Sequence, residues 1–226
     1  MFGGFGSTES YLSCLEFFLA PTDLEGKNPK PELRPHVIGN SYGCPAAEGC
    51  SPTAFGRAVK ALRAAGIFMS VSAGNEGPRC STISAPPATE PLVMSVAATK
   101  SNDDLAFFSS KGPVMYNGVS YVKPEISAPG SQIKGAFPNN SYQTLSGTSM
   151  ASPHIGGLVN LIIANCPELS RSIDKIEEII KKTAVPLYPS GQFCGTDTSA
   201  SLPNNHFGYG RIDAYKAVME CFKKSQ

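Results

Sequence analysis

A run of small residues leads into an apolar stretch between Leu145 and His154, with the sequence Leu-Ser-Gly-Thr-Ser-Met-Ala-Ser-Pro-His. A serine acts as a nucleophile when a rigid turn exposes its hydroxyl and the amides at the start of a helix face the charge that develops on the substrate carbonyl. Ser149 occupies that position. The competing interpretation is that this serine only caps the helix, which is the more common role for a single serine at such a place.

A second segment suited to the same chemistry is Ser72-Ala-Gly-Asn-Glu-Gly-Pro78, which follows a predicted buried strand. Open parallel sheets hold their sites at the carboxyl ends of strands. The side-chain amide of Asn75 can donate to an oxyanion there, and the flanking glycines let a substrate backbone come close. Asn-Glu-Gly is a common turn sequence, so this segment alone does not indicate an active site. It does so only in combination with Ser149.

The elements that must position these residues alternate between short apolar runs and helical patterns, which is typical of a parallel sheet with helices on both faces. The pattern predicts strands at 36–41, 67–71 and 92–97, and helices at 11–19, 54–65, 149–165 and 172–183. The helix at 149–165 is apolar nearly all round, so we expect it to be buried, with Gly156 and Gly157 allowing close backbone approach. Residues 1–226 are predicted to form a single α/β domain.

The composition excludes several classes of partner. The net charge is +1 and no run of Lys or Arg exceeds two, so neither nucleic acid nor an anionic membrane surface is predicted to bind. No apolar stretch approaches the roughly 18 residues of a membrane-spanning helix. Three scattered histidines and the lack of a Cys-x-x-Cys motif predict no metal site. The composition therefore predicts a compact protein without a nucleic-acid or membrane partner.

The cysteines indicate an oxidising compartment. Seven cysteines are many for a cytosolic protein and favour secretion or the lumen of an endomembrane organelle, although residues 1–8 carry no secretory signal pattern. The odd number leaves at least one thiol free or paired elsewhere. Cys44 and Cys50 are close enough in sequence to close a small loop.

Five motifs of this chain resemble, in the same order, successive motifs of the subtilisin-like serine proteases. They are Ala-Gly-Asn-Glu-Gly at 73–77, Phe-Ser-Ser-Lys-Gly-Pro at 108–113, Lys-Pro-Glu-Ile-Ser-Ala-Pro-Gly at 123–130, Gly-Thr-Ser-Met-Ala-Ser-Pro-His at 147–154 and Gly-Tyr-Gly-Arg-Ile-Asp-Ala at 208–214. The resemblance covers most of the chain. It implies a subtilisin-like parallel sheet and the hydrolysis of internal peptide bonds.

The resemblance also implies roles for seven residues. Ser149 is then the nucleophile and Asn75 donates its side-chain amide to the oxyanion. A peptide substrate is expected to pair as an added strand along Ser41, Tyr42 and Gly43, because main-chain hydrogen bonds can hold a peptide of any sequence. Ala73 and Gly74 are expected to form the opposite wall of the primary specificity pocket. Many relatives in this family bind calcium, but no ligand set can be assigned here, and no cofactor is predicted.

The chain departs from the family pattern in one respect. Members carry an Asp-Ser-Gly or Asp-Thr-Gly segment and then a His-Gly-Thr segment ahead of the motifs above, and this sequence contains neither. A serine hydroxyl is a poor nucleophile without a base to take its proton. None of the three histidines, His36, His154 and His206, is expected to act as this base.

Residues 2–8 and 11–19 resemble an interior segment of the family domain. We therefore expect the chain to be the C-terminal part of a peptidase domain that lacks its first strands. An upstream segment would supply the aspartate and histidine. Alone, the chain is expected to be inactive or nearly so, and poorly soluble or partly unfolded, because the missing strands leave unpaired edges and apolar surface.

Two other functions remain open from the sequence. The first is a non-catalytic relative that keeps the peptide-binding cleft as a binding or regulatory module. The second is an α/β-hydrolase, since residues 147–151 nearly fit the Gly-x-Ser-x-Gly elbow, with Ala151 in place of the last glycine. Asp197 and His206 follow Ser149 in the order that such a hydrolase requires.

Overall fold

A computed structural model describes residues 6–45, 48–50 and 52–224 of the chain. The helices are α1 (Thr8–Leu19), α2 (Pro52–Ala64), α3 (Thr148–Asn165), α4 (Ile173–Thr183) and α5 (Ala214–Lys224). The strands are β1 (Val37–Asn40), β2 (Phe68–Ser72), β3 (Met94–Thr99), β4 (Val114–Tyr116), β5 (Val119–Tyr121), β6 (Ile126–Pro129), β7 (Ile133–Phe137) and β8 (Ser141–Leu145).

The central sheet has four parallel strands in the order β1-β2-β3-β6. All side chains of β2 and β3 are buried, because both strands are covered on both faces. Among the described strands, β1 has a hydrogen-bonded neighbour on one side only. The expectation of an α/β fold with a parallel sheet is therefore confirmed.

Side chains that alternate along the strands serve two separate cores. Phe68 and Val96 belong to a core built with α3, α4 and α5, whereas Met69 and Val71 belong to a core built with α1 and α2. This alternation is what a strand buried on both faces requires. Helices thus cover both faces of the sheet, and the predicted strands and helices lie within about three residues of those observed.

The exposure of α3 differs from the prediction. One side of the helix packs across the sheet, where Ile155, Leu158 and Ile162 are buried. On the other side Leu161 is 50% exposed, and a Cβ added to Gly156 or Gly157 meets nothing within 4 Å. The expectation that α3 is buried all round and closely approached at its glycines was therefore wrong for the described residues.

The open side of α3 forms an apolar groove of about 720 Å³, which we call the α3 groove. It runs from Ser149 along Met150, His154 and Leu161 and is bounded by Ile133 at the start of the β7-β8 hairpin. Most side chains of this hairpin are exposed. None of the described helices combines the length and apolar character needed to cross a membrane.

The described cysteines form three disulfides, one within a local loop and two between segments far apart in sequence. Cys44 pairs with Cys50, as the spacing suggested, and the other two pairs are Cys80–Cys194 and Cys166–Cys221. Cys14 is a free, exposed thiol, which agrees with the odd number of cysteines.

Candidate active site

Three segments meet at the carboxyl edge of the sheet. Ser41 follows β1 directly and Ala73 follows β2, and the two strands are parallel neighbours, so both segments emerge at the same edge. The first turn of α3 contacts both of them. Ser41 Oγ donates to the backbone oxygen of Ser149 at 3.0 Å, and the backbone N–H of Thr148 donates to Asn75 Oδ1 at 2.9 Å.

One cavity of about 410 Å³ lies between these segments. Its lining includes all seven residues that the sequence singled out: Ser41, Tyr42, Gly43, Ala73, Gly74, Asn75 and Ser149. The remaining lining is half apolar and half polar: Pro45, Ala85 and Ala88 beside Ser72, Ser84 and Glu76. The structure thus brings every predicted site residue to a single cleft.

Thr148 holds Asn75 in a defined orientation. Asn75 Oδ1 accepts from both the backbone N–H and the hydroxyl of Thr148, at 2.9 Å and 3.1 Å. The Thr148 hydroxyl is also 3.2 Å from the backbone oxygen of Gly74. Because Gly147, the residue preceding α3, has no side chain, Asn75 supplies the cap of this helix from a distant segment.

Two hydrogen-bond donors remain available at the cleft. Asn75 Nδ2 has no acceptor among the described residues, since its Oδ1 makes the side-chain contacts. The backbone N–H of Ser149 lies in the first turn of α3, where helix amides have no intrahelical acceptor. Ser149 Oγ is half-exposed and is 3.4 Å from the backbone oxygen of Ser41. A hydroxyl flanked by two such donors is suited to attack a carbonyl and to stabilise the resulting oxyanion.

Gly74 is required by the packing behind the cleft. Its φ is +105°, and an added Cβ would lie 2.8 Å from Ser110 Oγ. Ser110 braces the same loop, because its backbone N–H donates to the Gly74 oxygen at 3.0 Å. Its hydroxyl accepts from the Glu76 N–H at 3.0 Å and donates to Glu76 Oε2 at 2.7 Å.

Tyr42 stays protonated in this site at neutral pH. Burial raises the pKa of its hydroxyl to about 12, with smaller contributions from the nearby Tyr11 and Cys14. The hydroxyl donates to Asn40 Oδ1 at 2.9 Å. Tyr42 therefore forms part of the cleft wall and does not accept a proton from Ser149.

No histidine among the described residues contacts Ser149. His154 Nδ1 lies 2.9 Å from the backbone oxygen of Met150, one turn earlier in the same helix. His36 precedes β1 and so lies at the opposite edge of the sheet from Ser41. His206 lines a different cavity. The described residues therefore place no histidine beside the Ser149 hydroxyl.

The α/β-hydrolase alternative finds weak structural support. His206 Nδ1 is 3.5 Å from Asp197 Oδ2, so these two residues do lie together. However, no cavity is lined by both His206 and Ser149. The strand before Ser149 is β8, which pairs only with β7 in an antiparallel hairpin, whereas the elbow of that family needs a strand of the main sheet.

Sequence reasoning missed the residues that support the cleft. Thr148, Ser110 and Glu76 all lie inside the motifs quoted above, but their contacts join residues more than 30 positions apart. The sequence alone carries no signal for such pairings. No group of three or more potential metal-ligating side chains was found within the part of the chain that the structure describes.

Comparisons with known proteins agree with this geometry. A sequence model of the Subtilase family (Peptidase_S8) matches residues 22–210. Bacillopeptidase F of Bacillus subtilis (strain 168) is 38% identical over 217 residues, which cover 94% of this chain and 14% of that protein. Serine protease AprX of the same strain is 32% identical over 182 residues, covering 72% of this chain and 37% of that protein.

A fungal relative and a solved structure complete the comparison. Subtilisin-like protease 6 of Trichophyton rubrum is 37% identical over 155 residues, covering 69% of this chain and 34% of that protein. The structure of the prenylagaramide maturation protease PagA superposes with a TM-score of 0.71 at 22% identity, covering 95% of this chain and 68% of that one. The chain spans between about a seventh and just over a third of the length of these curated relatives.

Proposed function

Because the chain belongs to the subtilase family, we propose that it carries the substrate cleft and the nucleophile of a serine-type endopeptidase. The observation that supports this proposal best is the contact between the first turn of α3 and the loop after β2. That contact leaves the Ser149 hydroxyl and the Asn75 amide at one cleft.

The proposed reaction is acyl transfer to Ser149. An extended peptide pairs along Ser41, Tyr42 and Gly43, with its side chain in the cavity against Ala73 and Gly74. As Ser149 Oγ bonds to the scissile carbonyl carbon, its proton passes to a base, and the oxyanion accepts from Asn75 Nδ2 and the Ser149 N–H. Collapse breaks the C–N bond, the amine leaves with the proton, and water then hydrolyses the ester and restores the serine.

The base is proposed to come from a segment that this sequence does not contain. That segment would carry the Asp-Ser/Thr-Gly and His-Gly-Thr motifs, encoded upstream in the same protein or supplied by another chain. The segment would bind at two surfaces. One is the outer edge of β1, which pairs with no described strand, and the other is the α3 groove, which begins at Ser149. Without that segment we propose that the chain has little or no activity.

The proposed substrate class is an extended peptide with one side chain in the 410 Å³ cavity. The first wall is tied to the lining segment at Ala85 and Ala88, because the backbone N–H of Cys44 donates to the oxygen of Pro86 at 2.8 Å. The Cys44–Cys50 disulfide further constrains the first wall. The three disulfides support an extracellular or lumenal location.

The test is covalent labelling by a fluorophosphonate, which reacts only with an activated serine. The chain is tested alone and with a subtilase segment that carries both missing motifs, either fused ahead of it or added separately. We expect labelling only when the segment is present, and its loss in Ser149→Ala. Ser146→Ala is the matched control, since Ser146 lies three residues away and its hydroxyl accepts from Gln132. Labelling that survives Ser149→Ala would assign the nucleophile to another residue.

A second candidate function is a peptide-binding module that does not cleave. The absence of a base beside Ser149 among the described residues favours it. The same samples separate the two functions when an extended peptide is added: a module binds the peptide and leaves it intact even with the segment present. A small ester in place of the peptide tests the hydrolase alternative, which predicts cleavage of the ester and not of the peptide.

A further inference from the structure

A second cavity of about 540 Å³ lies outside the cleft and shares no lining residue with it. Its walls come from residues 100–107, from the loop around Tyr188, and from Lys111 and His206. The function proposed above uses none of these residues. Nothing in the fold requires a cavity of this size, which falls within the range of small-molecule sites.

Lys111 is the unusual residue of this cavity. It is only 8% exposed, yet no described residue accepts a hydrogen bond or an ion pair from its Nζ. Nζ is not among the fully enclosed unpaired atoms either, so it has access to the cavity. Burial lowers the pKa of this amine. Lysines this deeply buried are almost always paired, because an unpaired buried charge is costly.

The Lys111 side chain is not needed to hold its own segment in place. The backbone does that: the Lys111 N–H donates to Thr82 Oγ1 at 3.0 Å, and its oxygen accepts from the N–H groups of Thr82 and Ile83 at 2.9 Å and 3.2 Å. The ammonium group therefore has no structural partner that explains its burial. The acceptor of its hydrogen bonds must therefore come from the cavity, as water or as a bound ligand.

Acidic and basic side chains both surround the cavity. Of the two acidic side chains in the lining, Asp103 is paired with Arg211 at 2.6 Å, and Asp104 accepts from the amide of Asn102 at 2.8 Å. Lys100, on the opposite wall, has no ion pair with any described residue. An anion would thus meet two lysines without ion-pair partners among the described residues, beside one carboxylate, that of Asp104, which is likewise without an ion pair.

One side of the lining is apolar or aromatic, whereas Asn102, Ser190 and His206 add polar groups elsewhere. Phe107 is 73% exposed at the cavity, and Leu187, Tyr188 and Phe207 complete this side. Such a surface does not suit a small inorganic anion, which would leave it unfilled. From this combination we propose that the cavity binds a carboxylate carried on an apolar body, as at the C-terminal residue of a peptide, with Lys111 Nζ as the direct donor to the carboxylate.

The test uses two ligands that differ only in their charge. Calorimetry measures the binding of N-acetyl-leucine and of its uncharged amide to the full chain. We expect the acid to bind at least about tenfold more tightly than the amide, as one charge-assisted hydrogen bond provides. Lys111→Met should remove this difference, and Lys111→Arg should retain most of it. Lys60→Met, on the exposed side of α2, is the matched control and should bind like the parent protein.

A second measurement covers the case in which Lys111→Met does not fold. In the unmodified chain, acetylation of Lys111 by an N-hydroxysuccinimide ester is followed by mass spectrometry. The acid should slow acetylation of Lys111 and leave that of Lys60 unchanged, whereas the amide should slow neither. Equal binding of acid and amide, tight binding of the acid to Lys111→Met, or unprotected acetylation of Lys111 would each overturn the proposal.

Discussion

Asn75 combines two tasks in one side chain. Its oxygen accepts from the first amide of α3 and from the Thr148 hydroxyl, which leaves its amide group directed to other partners. A catalytic donor must be held in place before the charge develops, because reorientation during the reaction would offset its benefit. Thr148 is therefore a positioning residue in the proposed mechanism, and its hydroxyl is the part that can be removed without changing shape.

Replacement of Thr148 by Val tests this positioning role. In the chain combined with the Asp/His segment, we expect Thr148→Val to lower kcat about tenfold with KM nearly unchanged, since one hydrogen bond to Asn75 is lost. Thr148→Ser should restore most of the rate. Removal of the donor itself, as in Asn75→Ala, should cost about 10²–10³ in kcat, a magnitude that was measured in a subtilisin and is not an independent estimate. Unchanged kcat in Thr148→Val would show that Asn75 needs no such support.

His206 gives the fold a dependence on pH. Burial, and then the nearby Lys111 charge, lower its pKa, while Asp197 acts in the opposite sense. The unfolded chain, with a histidine pKa of about 6.5, then binds a proton at a higher pH than the folded chain. The free energy of unfolding should therefore fall as the pH drops below about 7, and His206→Gln should make this fall shallower.

Urea unfolding at several pH values between about 5 and 8 measures this effect. In His206→Gln the free energy of unfolding should still depend on pH. Burial, and to a smaller extent the charges of Arg171 and Arg34, also lower the pKa of His36. The low pKa values of Asp23 and Asp213 contribute only at more acidic pH, where those groups take up protons. Identical slopes for the parent protein and His206→Gln would contradict the prediction.

At the scale of the elements, the strands were predictable because their burial is nearly complete. The apolar runs at 67–71 and 92–97 correspond to β2 and β3, where every side chain is buried. Hydrophobic pattern alone identifies such elements. The amphipathic helix predicted at 172–183 was also found, as α4 at Ile173–Thr183.

Other elements could not be predicted from pattern. β7 and β8 have almost entirely exposed side chains, so they lack the alternation that marks a half-buried strand. The apolar sequence of α3 wrongly predicted burial on all sides, because composition does not say whether a neighbour is present. The cleft residues were identified through a family resemblance, whereas their supports, Thr148 and Ser110, depend on tertiary contacts.

Lys123 joins two elements of the core. Its Nζ is fully buried and donates to the backbone oxygens of Glu90 at 2.7 Å and Val93 at 3.3 Å, just before β3. It also pairs with Glu125 Oε1 at 2.5 Å, just before β6. Glu125 Oε2 in turn accepts from the N–H and hydroxyl of Ser95 in β3.

Loss of the Lys123 ammonium should therefore destabilise the central sheet. Lys123→Met leaves Oε1 of the partly buried Glu125 and two backbone carbonyls without their donor, and we expect the free energy of unfolding to fall by about 3 kcal/mol. Urea denaturation provides the measurement, with the exposed Lys60→Met as the control. Adding Glu125→Gln to Lys123→Met should recover part of the loss. A change below about 1 kcal/mol would mean that water replaces the ammonium without cost.

At the scale of the whole molecule, two exposed features favour association. The outer edge of β1 pairs with no described strand, and the α3 groove presents apolar side chains such as Leu161. Unpaired edges and large apolar patches both promote contact between chains. We expect the isolated chain to self-associate at micromolar concentration and to unfold without a sharp transition, so the urea measurements on the His206 and Lys123 variants require the chain combined with the Asp/His segment.

Charges placed on the two features should reduce this association. Gly39 in β1 is exposed and an added Cβ there meets nothing within 4 Å, so Gly39→Lys can be accommodated. Analytical ultracentrifugation should show the double variant Gly39→Lys/Leu161→Lys shifted toward the monomer. Leu24→Lys is the control, because Leu24 is fully exposed and lies elsewhere. A parent chain that is monomeric, with a cooperative thermal transition, would contradict this prediction.

The contact between Asn75 and Thr148 bears on autolysis, the cleavage of one copy of the chain by another that the proposed activity would allow. The same hydrogen bonds fasten the start of α3 to the loop after β2 and orient the proposed oxyanion donor. With the proposed activity, a molecule that opens at this junction would lose its oxyanion donor even while the rest of its fold is intact. Such a copy could still be cleaved by intact copies but could no longer cleave them.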